Sequence, residues 1–467
     1  MRLDRSIYIL AFACALIAGS SLQHALVDDS FIFLRVAEHI AKGEGWQYNI
    51  GEISNPCSSY LYPLLLSGLL TIGFEGEQVL LIAYALSLFV LTVGIWMCFS
   101  GTSRVIQLLI TVIVLCEPVL VRSAGMETAL FLALVVWSGV TCSRGMPFGA
   151  GLLAALAALC RVDGLALFPI LLAAQILSKR KGLMRLCCGY FILLIPALIG
   201  AYLYFGSLLP NSLSVKFFQS HNGWWAEQGN WVTHWIDQLF LSYLQIFLIP
   251  CALYLILKSA EIKRLVAPLV VIAFGLVQAA TYTCFSAPVG YYWYYAPGNL
   301  AVYAAILLGA FLFLREKLKV IPYRPSYLIG GGLLFILCYG FGARIIPSYP
   351  NSAAYRVAST LIRSYASDGN TVASMEIGYL GYFTGLKVID PTGLASPQAL
   401  NFLRTGHYAW WLEERPDFVV SHEPAWQMEP EGKLWKSEDS AKFLRSYKAI
   451  GRSDDVLVWR RDTDEAG

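Results

Sequence analysis

The chain has 467 residues, of which 57% are hydrophobic and 14% charged, with a mean hydropathy of +0.58 and a net charge of +3. A soluble domain carries about 25% charged residues, so a chain this long and this poor in charge cannot be clothed by water alone and reads as a polytopic membrane protein. The small, scattered charge excludes a nucleic-acid binder, and the 11 Cys, most of them inside apolar runs and with no CxxC pair, predict neither a disulfide framework nor a cysteine-ligated metal.

The first apolar run, Ser6 to Leu22, is followed by Gln23-His24-Ala25, a poor cleavage site, so an uncleaved first span is predicted rather than a signal peptide. Next comes Val27-Asp28-Asp29-Ser30, after which Phe33, Val36, Ala37 and Ile40 recur at helical spacing. That spacing predicts an amphipathic helix lying on the outer membrane face, with the Asp pair at its start. Two readings of the pair stand: carboxylates capping a helix N-terminus, or functional groups just above the bilayer. Ser59 to Phe74, with Pro63 near its start, is predicted as a juxtamembrane or re-entrant helix. Apolar runs then follow at 79–99, 104–121, 127–141, 148–160, 163–178, 185–205, 237–257, 264–284, 296–314 and 326–343, several shorter than the roughly 20 residues a bilayer needs, which predicts tilted or broken helices.

Lys and Arg collect in cytoplasmic loops. Lys179, Arg180, Lys181 and Arg185 mark one, Lys258, Lys263 and Arg264 a second, and Arg315, Lys317, Lys319 and Arg324 a third. Alternation places Met126, Arg161, Pro210 and Trp293 outside, with everything after Ile345. The predicted fold class is an α-helical polytopic membrane protein of about 11 transmembrane helices over residues 1–344, with external loops at 24–78 and 206–236. Residues 345–467 then form a small external α/β domain, with a helix near Ala353 to Tyr365 and strands at Thr371 to Ser374, Lys387 to Ile389 and Phe418 to Val420.

Several external residues carry chemistry, each with a structural alternative. Arg161 and Asp163 are either an ion pair at a helix break or part of a site, since ionisable groups within spans are functional candidates. Lys216 either snorkels from a loop or holds an anion. Glu127, beside Thr128, either caps a helix or helps bind a sugar. The aromatic groups Trp224, Trp225, Trp231, Trp235 and Tyr291, Tyr292, Trp293, Tyr294, Tyr295 are either interfacial belts or the wall of a site. The 6 His form no HxxH or HExxH spacing, so no metal site is predicted. Asp390-Pro391-Thr392-Gly393-Leu394 has turn chemistry, with acceptor binding or a lid as the functional alternative.

Taken in order, the pieces resemble one family. Asp28-Asp29, then Arg35, Gly43-Glu44-Gly45-Trp46, Tyr48-Asn49 and Gly51-Glu52 look like the first external loop of GT-C glycosyltransferases, most of all the branch of cell-wall and pilin arabinofuranosyltransferases. Ala124-Gly125-Met126-Glu127-Thr128, Cys160-Arg161-Val162-Asp163-Gly164, Tyr204 to Ser212 with Lys216, Ile377-Gly378-Tyr379-Leu380-Gly381-Tyr382 and Val388 to Leu394 follow in the family's order. The resemblance implies a bacterial inner-membrane enzyme with its active site facing the periplasm. It would move a sugar, arabinofuranose first among the candidates, from a polyprenyl phosphate to a periplasmic protein or glycan, with inversion.

It further implies that Asp28 or Asp29 is the base, that Lys216, Arg161 and Arg122 bind the donor phosphate, and that Glu127, Asp163, Asn211, Trp293, Tyr294 and Tyr295 hold substrate. No cofactor is implied, and the chain carries no P-loop, GxGxxG or GxSxG for a nucleotide donor. A protein O-mannosyltransferase-like or lipid A-modifying relative is the alternative among enzymes. A lipid or sugar transporter is the alternative of another class, against which stand the absence of internal repeats and the placement of charges at external helix ends.

Overall fold

The computed structural model describes residues 5–99, 104–179, 181–221, 231–239, 242–258, 265–285, 289–318 and 352–462. The predicted span at 326–343, Trp224, Trp225, Arg180, Lys263, Arg264, Lys319 and Arg324 lie outside them. Four described helices are long and apolar enough to cross a membrane: α4 (Glu77–Cys98), α10 (Leu183–Phe205), α14 (Val266–Cys284) and the stretch Ala296–Phe313 of α15 (Ala296–Leu318). Shorter apolar helices pack among them: α1 (Arg5–Ser20), α7 (Thr128–Ser143), α8 (Pro147–Cys160) and α9 (Leu167–Leu177). α10 turns Phe191, Ile192, Ile195, Ile199 and Leu203 outward, an apolar face that water would not cover and lipid would.

The predicted breaks have local causes. The run at 104–121 divides into α5 (Arg104–Leu115) and α6 (Pro118–Arg122), because Pro118 restarts the helix at its first position and the Glu117 carboxylate accepts from Leu120 N at 2.6 Å. α8 ends where Arg161 adopts an extended backbone, and a 3-10 turn at Val162–Ala166 leads into α9. The run at 237–257 becomes α12 (Trp231–Gln238) and α13 (Ser242–Lys258). Ser59 to Phe74 contains the 11-residue helix α3 (Leu61–Thr71), which lies against α2 (Asp28–Ala41).

The expectation for α2 needs correction. It forms where predicted, yet Phe31 to Ala37 are all buried, including Arg35, because the C-terminal domain covers the face expected to meet water. Within that domain, β1 (Thr371–Ala373) pairs in parallel with β2 (Lys387–Ile389) and β3 (Phe418–His422), and β3 continues antiparallel into β5 (Val456–Arg461) and β4 (Tyr447–Ser453), giving the order β2-β1-β3-β5-β4. α16 (Ser352–Tyr365) packs on the sheet, and α17 (Ile377–Thr384) is seated on α2.

That seat is backbone-close. A Cβ added at Gly378 would lie 1.9 Å from the Asp28 carbonyl oxygen, and one at Gly381 would lie 2.0 Å from Tyr48 Oη. The Phe31 ring fills the rest, with centroids 5.2 Å from Tyr379 and Phe383 and 5.3 Å from Tyr382. Gly378→Ala should therefore cost about 1–3 kcal/mol through overpacking against backbone that cannot yield. Thermal unfolding of the purified protein reads this as a lowered transition, and an unchanged transition would show that the two helices do not meet this closely.

Candidate active site

The chain leaves α1 through a short 3-10 turn, passes Val27 in extended conformation and starts α2 at the Asp pair. Neighbours on a helix point about 100° apart, so the two carboxylates face different surroundings. Asp28 faces the C-terminal domain and accepts from Gly378 N at 2.9 Å and Tyr379 N at 2.6 Å, so it caps α17 rather than its own helix. Glu376, at the N-cap position of α17, shares a hydrogen bond with it. Burial pushes Asp28 up to about 7 against the pull of its backbone donors. Burial and the Asp28 charge push Glu376 well above the carboxylate range, so the shared proton stays on Glu376.

Asp29 turns the other way, to Lys216 Nζ at 3.9 Å, and its side chain is 26% exposed. Burial raises its pKa and Lys216 opposes that rise. Lys216 projects from α11 (Asn211–His221) into an aromatic box, with Nζ 4.3 Å from the Tyr291 ring centroid, 5.2 Å from Tyr294 and 5.4 Å from Trp293. Its charge is thus held at a fixed point instead of ranging in solvent.

Two cavities meet at this pair. One, of about 410 Å3, lies between the turn after α8, α11 and α14; Arg161, Asp163, Lys216, Tyr282, Trp293 and Tyr294 supply its polar and aromatic wall, while Leu165, Leu213, Phe217 and Phe285 make it apolar elsewhere. The other, of about 480 Å3, lies beneath the C-terminal domain and includes Asp28, Asp29, Glu376 and Trp426. Trp293 lines both, and a small crevice containing both Asp29 and Lys216 joins them.

Arg161 is 5% exposed and fully engaged. It bonds Asp163 through Nε at 3.1 Å and Nη2 at 3.3 Å, reaches Glu127 at 3.4 Å and Tyr282 Oη at 3.4 Å, and lies 5.3 Å from the Phe131 and Tyr294 centroids. The extended backbone at the end of α8 is what turns it inward. Glu127 makes no capping bond to α7. One of its oxygens serves Arg161 and Ser58, and the other has no hydrogen-bond partner among the described residues.

Other predicted residues stand apart from the cavities. Arg122 is exposed on α6, where it donates to Gln238 Oε1 at 3.1 Å and covers the Tyr292 ring, and it lines neither of the two cavities. Asn211 bonds Leu394 O at 3.3 Å and Asn55 O at 3.0 Å, tying α11 to the domain and the first loop. Tyr295 donates to Val289 O at 2.8 Å and packs against Trp231. Trp231, Trp293, Tyr294 and Tyr295 are buried within the protein instead of forming an interfacial belt. Asp390 is a turn residue: its buried carboxylate accepts from Thr392 N and Ala395 N, both at 2.8 Å, and from Thr392 Oγ1 at 2.6 Å. No cluster of three His, Cys, Asp or Glu among the described residues could hold a metal ion.

Sequence reasoning attaches no role to several residues that shape the site. Arg35 donates to the carbonyls of Tyr48, Gly381 and Leu386. Tyr48 Oη donates to Ile377 O at 2.6 Å, and the Asn49 amide pairs with both backbone groups of Val388 at 2.8 and 3.0 Å. Arg35 and Tyr48-Asn49 stand in the motif string, the one signal that could have found them. Glu376 and Trp426 have none.

Residues 345–463 match a family model described as a domain of unknown function, DUF8728. No curated protein sequence matches the chain. Among solved structures, ArnT from Cupriavidus metallidurans bound to undecaprenyl phosphate is similar over 100% of both chains, at 13% identity and a TM-score of 0.62, and its apo form over 98% of both, at 14% and 0.61. The arabinofuranosyltransferase AftD from Mycobacteria is similar over 99% of this chain and 42% of its own, at 12% identity and a TM-score of 0.51. These likenesses show that the protein shares the overall fold of those structures.

The Asp28–Glu376 pair also predicts a pH dependence. Because the folded protein raises both carboxyls above their unfolded range near pH 4, the native state holds protons that the unfolded chain has already lost, and stability falls as pH rises from about 4 through 7. Glu376→Gln keeps a donor to Asp28 and removes the second titration. Thermal unfolding followed from pH 5 to 8 should show a flatter decline for that variant than for the parent, and parallel curves would contradict the shared proton.

Proposed function

We propose that the protein is a glycosyltransferase that takes a sugar from a polyprenyl phosphate and transfers it to an acceptor hydroxyl at the outer face of the bacterial inner membrane. The observation that carries this reading is the Asp29–Lys216 pair, a carboxylate and a fixed cation at the junction of a cavity among apolar helices and a chamber beneath the C-terminal domain. The likeness to a structure solved with undecaprenyl phosphate supports the donor class. The likeness to an arabinofuranosyltransferase keeps arabinofuranose first among the sugars, as does the motif order.

In this reading the acceptor oxygen attacks the anomeric carbon while the bond from that carbon to the phosphate oxygen breaks, the electron pair leaves with the phosphate, and the acceptor proton passes to Asp29. Attack opposite the leaving phosphate inverts the anomeric centre. Negative charge grows on the departing phosphate, where Lys216 meets it. Arg161, already balanced by Asp163 and Glu127, shapes the wall and supplies a weaker share of the field. A phosphate drawn to Lys216 takes that cation from Asp29, which raises the proton affinity of Asp29 once donor is bound. Asp28, committed to α17, holds the chamber in place.

The test is turnover of a panel of polyprenyl-phosphate pentoses and hexoses by the purified full-length protein with envelope fractions as acceptor. Asp29→Asn should lower the rate by about 10²–10⁴-fold, and Asp28→Asn should lower the unfolding temperature more than it lowers the rate of the protein that remains folded. Lys216→Ala should weaken donor binding about tenfold. Full activity in Asp29→Asn would overturn the reading.

A further inference from the structure

The chamber beneath the C-terminal domain has a composition of its own. Among the described residues that line it, none is Lys, Arg or His, and Lys216, at the junction with the other cavity, is already paired with Asp29. Its three acidic residues are already answered: Asp29 by Lys216, Asp28 by the α17 backbone, and Glu376 by the bond it shares with Asp28. What it offers instead is aromatic surface and uncharged hydrogen-bonding groups.

Trp426 is the clearest case. Its indole stacks on His422 at 3.7 Å and 7°, and His422 is itself fixed between Glu429 Oε1 at 2.7 Å and Tyr355 Oη at 2.9 Å. The Trp426 backbone is pinned as well, its N–H donating to Glu429 Oε2 at 2.9 Å. A tryptophan held this firmly on one side is still 38% exposed and lines the chamber, although burying it against the domain would recover its apolar area. Gln219, 5% exposed and oriented by the Tyr291 hydroxyl at 3.1 Å, and Gln427 supply amides. Rigid aromatic faces set among amides suit the C–H face and hydroxyl rim of a sugar ring.

We infer that this chamber is the acceptor site and that it takes an uncharged saccharide, stacked on Trp426 with a hydroxyl presented to Asp29, in preference to a phosphate-bearing lipid or a peptide. The inference rests on the proposed glycosyltransferase activity and names its acceptor class. The C-terminal domain then carries the stacking platform and closes the chamber over α2.

Saturation-transfer NMR on the full-length protein in nanodiscs tests it, with arabinofuranosyl and mannopyranosyl disaccharides, a hexose phosphate and a short Ser/Thr peptide as probes. Polyprenyl phosphate binding is measured on the same samples. At least one neutral disaccharide should bind about tenfold more tightly than the hexose phosphate or the peptide. Trp426→Ala should weaken that binding about tenfold, Trp426→Phe should restore most of it, and polyprenyl phosphate binding should stay unchanged.

If polyprenyl phosphate binds while no disaccharide does, if the hexose phosphate or the peptide is preferred, or if Trp426→Ala changes nothing, the acceptor inference is overturned and the donor reading stands. If the parent protein fails to bind polyprenyl phosphate, the glycosyltransferase reading falls and the inference falls with it.

Discussion

A carboxylate at the start of α2 reaches across to the backbone of a helix 350 residues later, and much of the molecule is arranged around that contact. Asp28 fills the anion position that the free N–H groups and dipole of α17 create. Arg35, two turns further along α2, meets the carbonyl of Gly381 in the last turn of the same helix and that of Leu386 just beyond it. One helix thus grips another at both poles with charge of the appropriate sign, and the glycines at 378 and 381 let the backbones close. The C-terminal domain is thereby held at a fixed height above the membrane helices, and the chamber beneath it takes its size from that height.

The same contact divides the work of two adjacent residues. Asp28 cannot leave its donors without exposing an unsatisfied helix terminus. Asp29, a third of a turn away, keeps a partly open side chain and a single cationic partner. Lys216 in turn depends on the aromatic cluster after α14, whose rings hold its charge between the two cavities. Arg161 meets both of its acidic partners, Asp163 and Glu127, because the helix break at the end of α8 turns it inward.

The sequence makes some of this readable and leaves the rest hidden. A hydrophobic content of 57% dictates a helical membrane protein, and the polar composition after Ile345 marks a separate domain. The breaks at Pro118 and Arg161 are local chemistry and can be anticipated as breaks. Motif order and charge placement single out the Asp28-Asp29 pair without separating its members, together with Lys216, Arg161 and Trp293; Asp29 and the last three line the connected cavities, while Asp28 is bound to the α17 backbone. Arg122 stands out on the same grounds and does not join them, because charge placement carries no information on whether a side chain turns into a cavity or onto Gln238. The burial of α2 is hidden because its partner is distant in sequence, and an amphipathic pattern does not say whether water or protein meets the polar face. The β4–β5 hairpin is hidden since only its buried positions, such as Val456 and Val458, alternate cleanly. Trp426 and Glu376 owe their significance to long-range packing alone.

In the proposed reaction, where the donor phosphate sits decides the roles of Lys216 and Asp29. A cryo-EM structure of the full-length protein with polyprenyl phosphate tests this most directly. It should place the phosphate against Lys216 in the cavity that includes Arg161 and Tyr294, with Asp29 separated from Lys216 and turned to the chamber beneath the C-terminal domain. A phosphate seated elsewhere, with the Asp29–Lys216 pair intact, would contradict these roles.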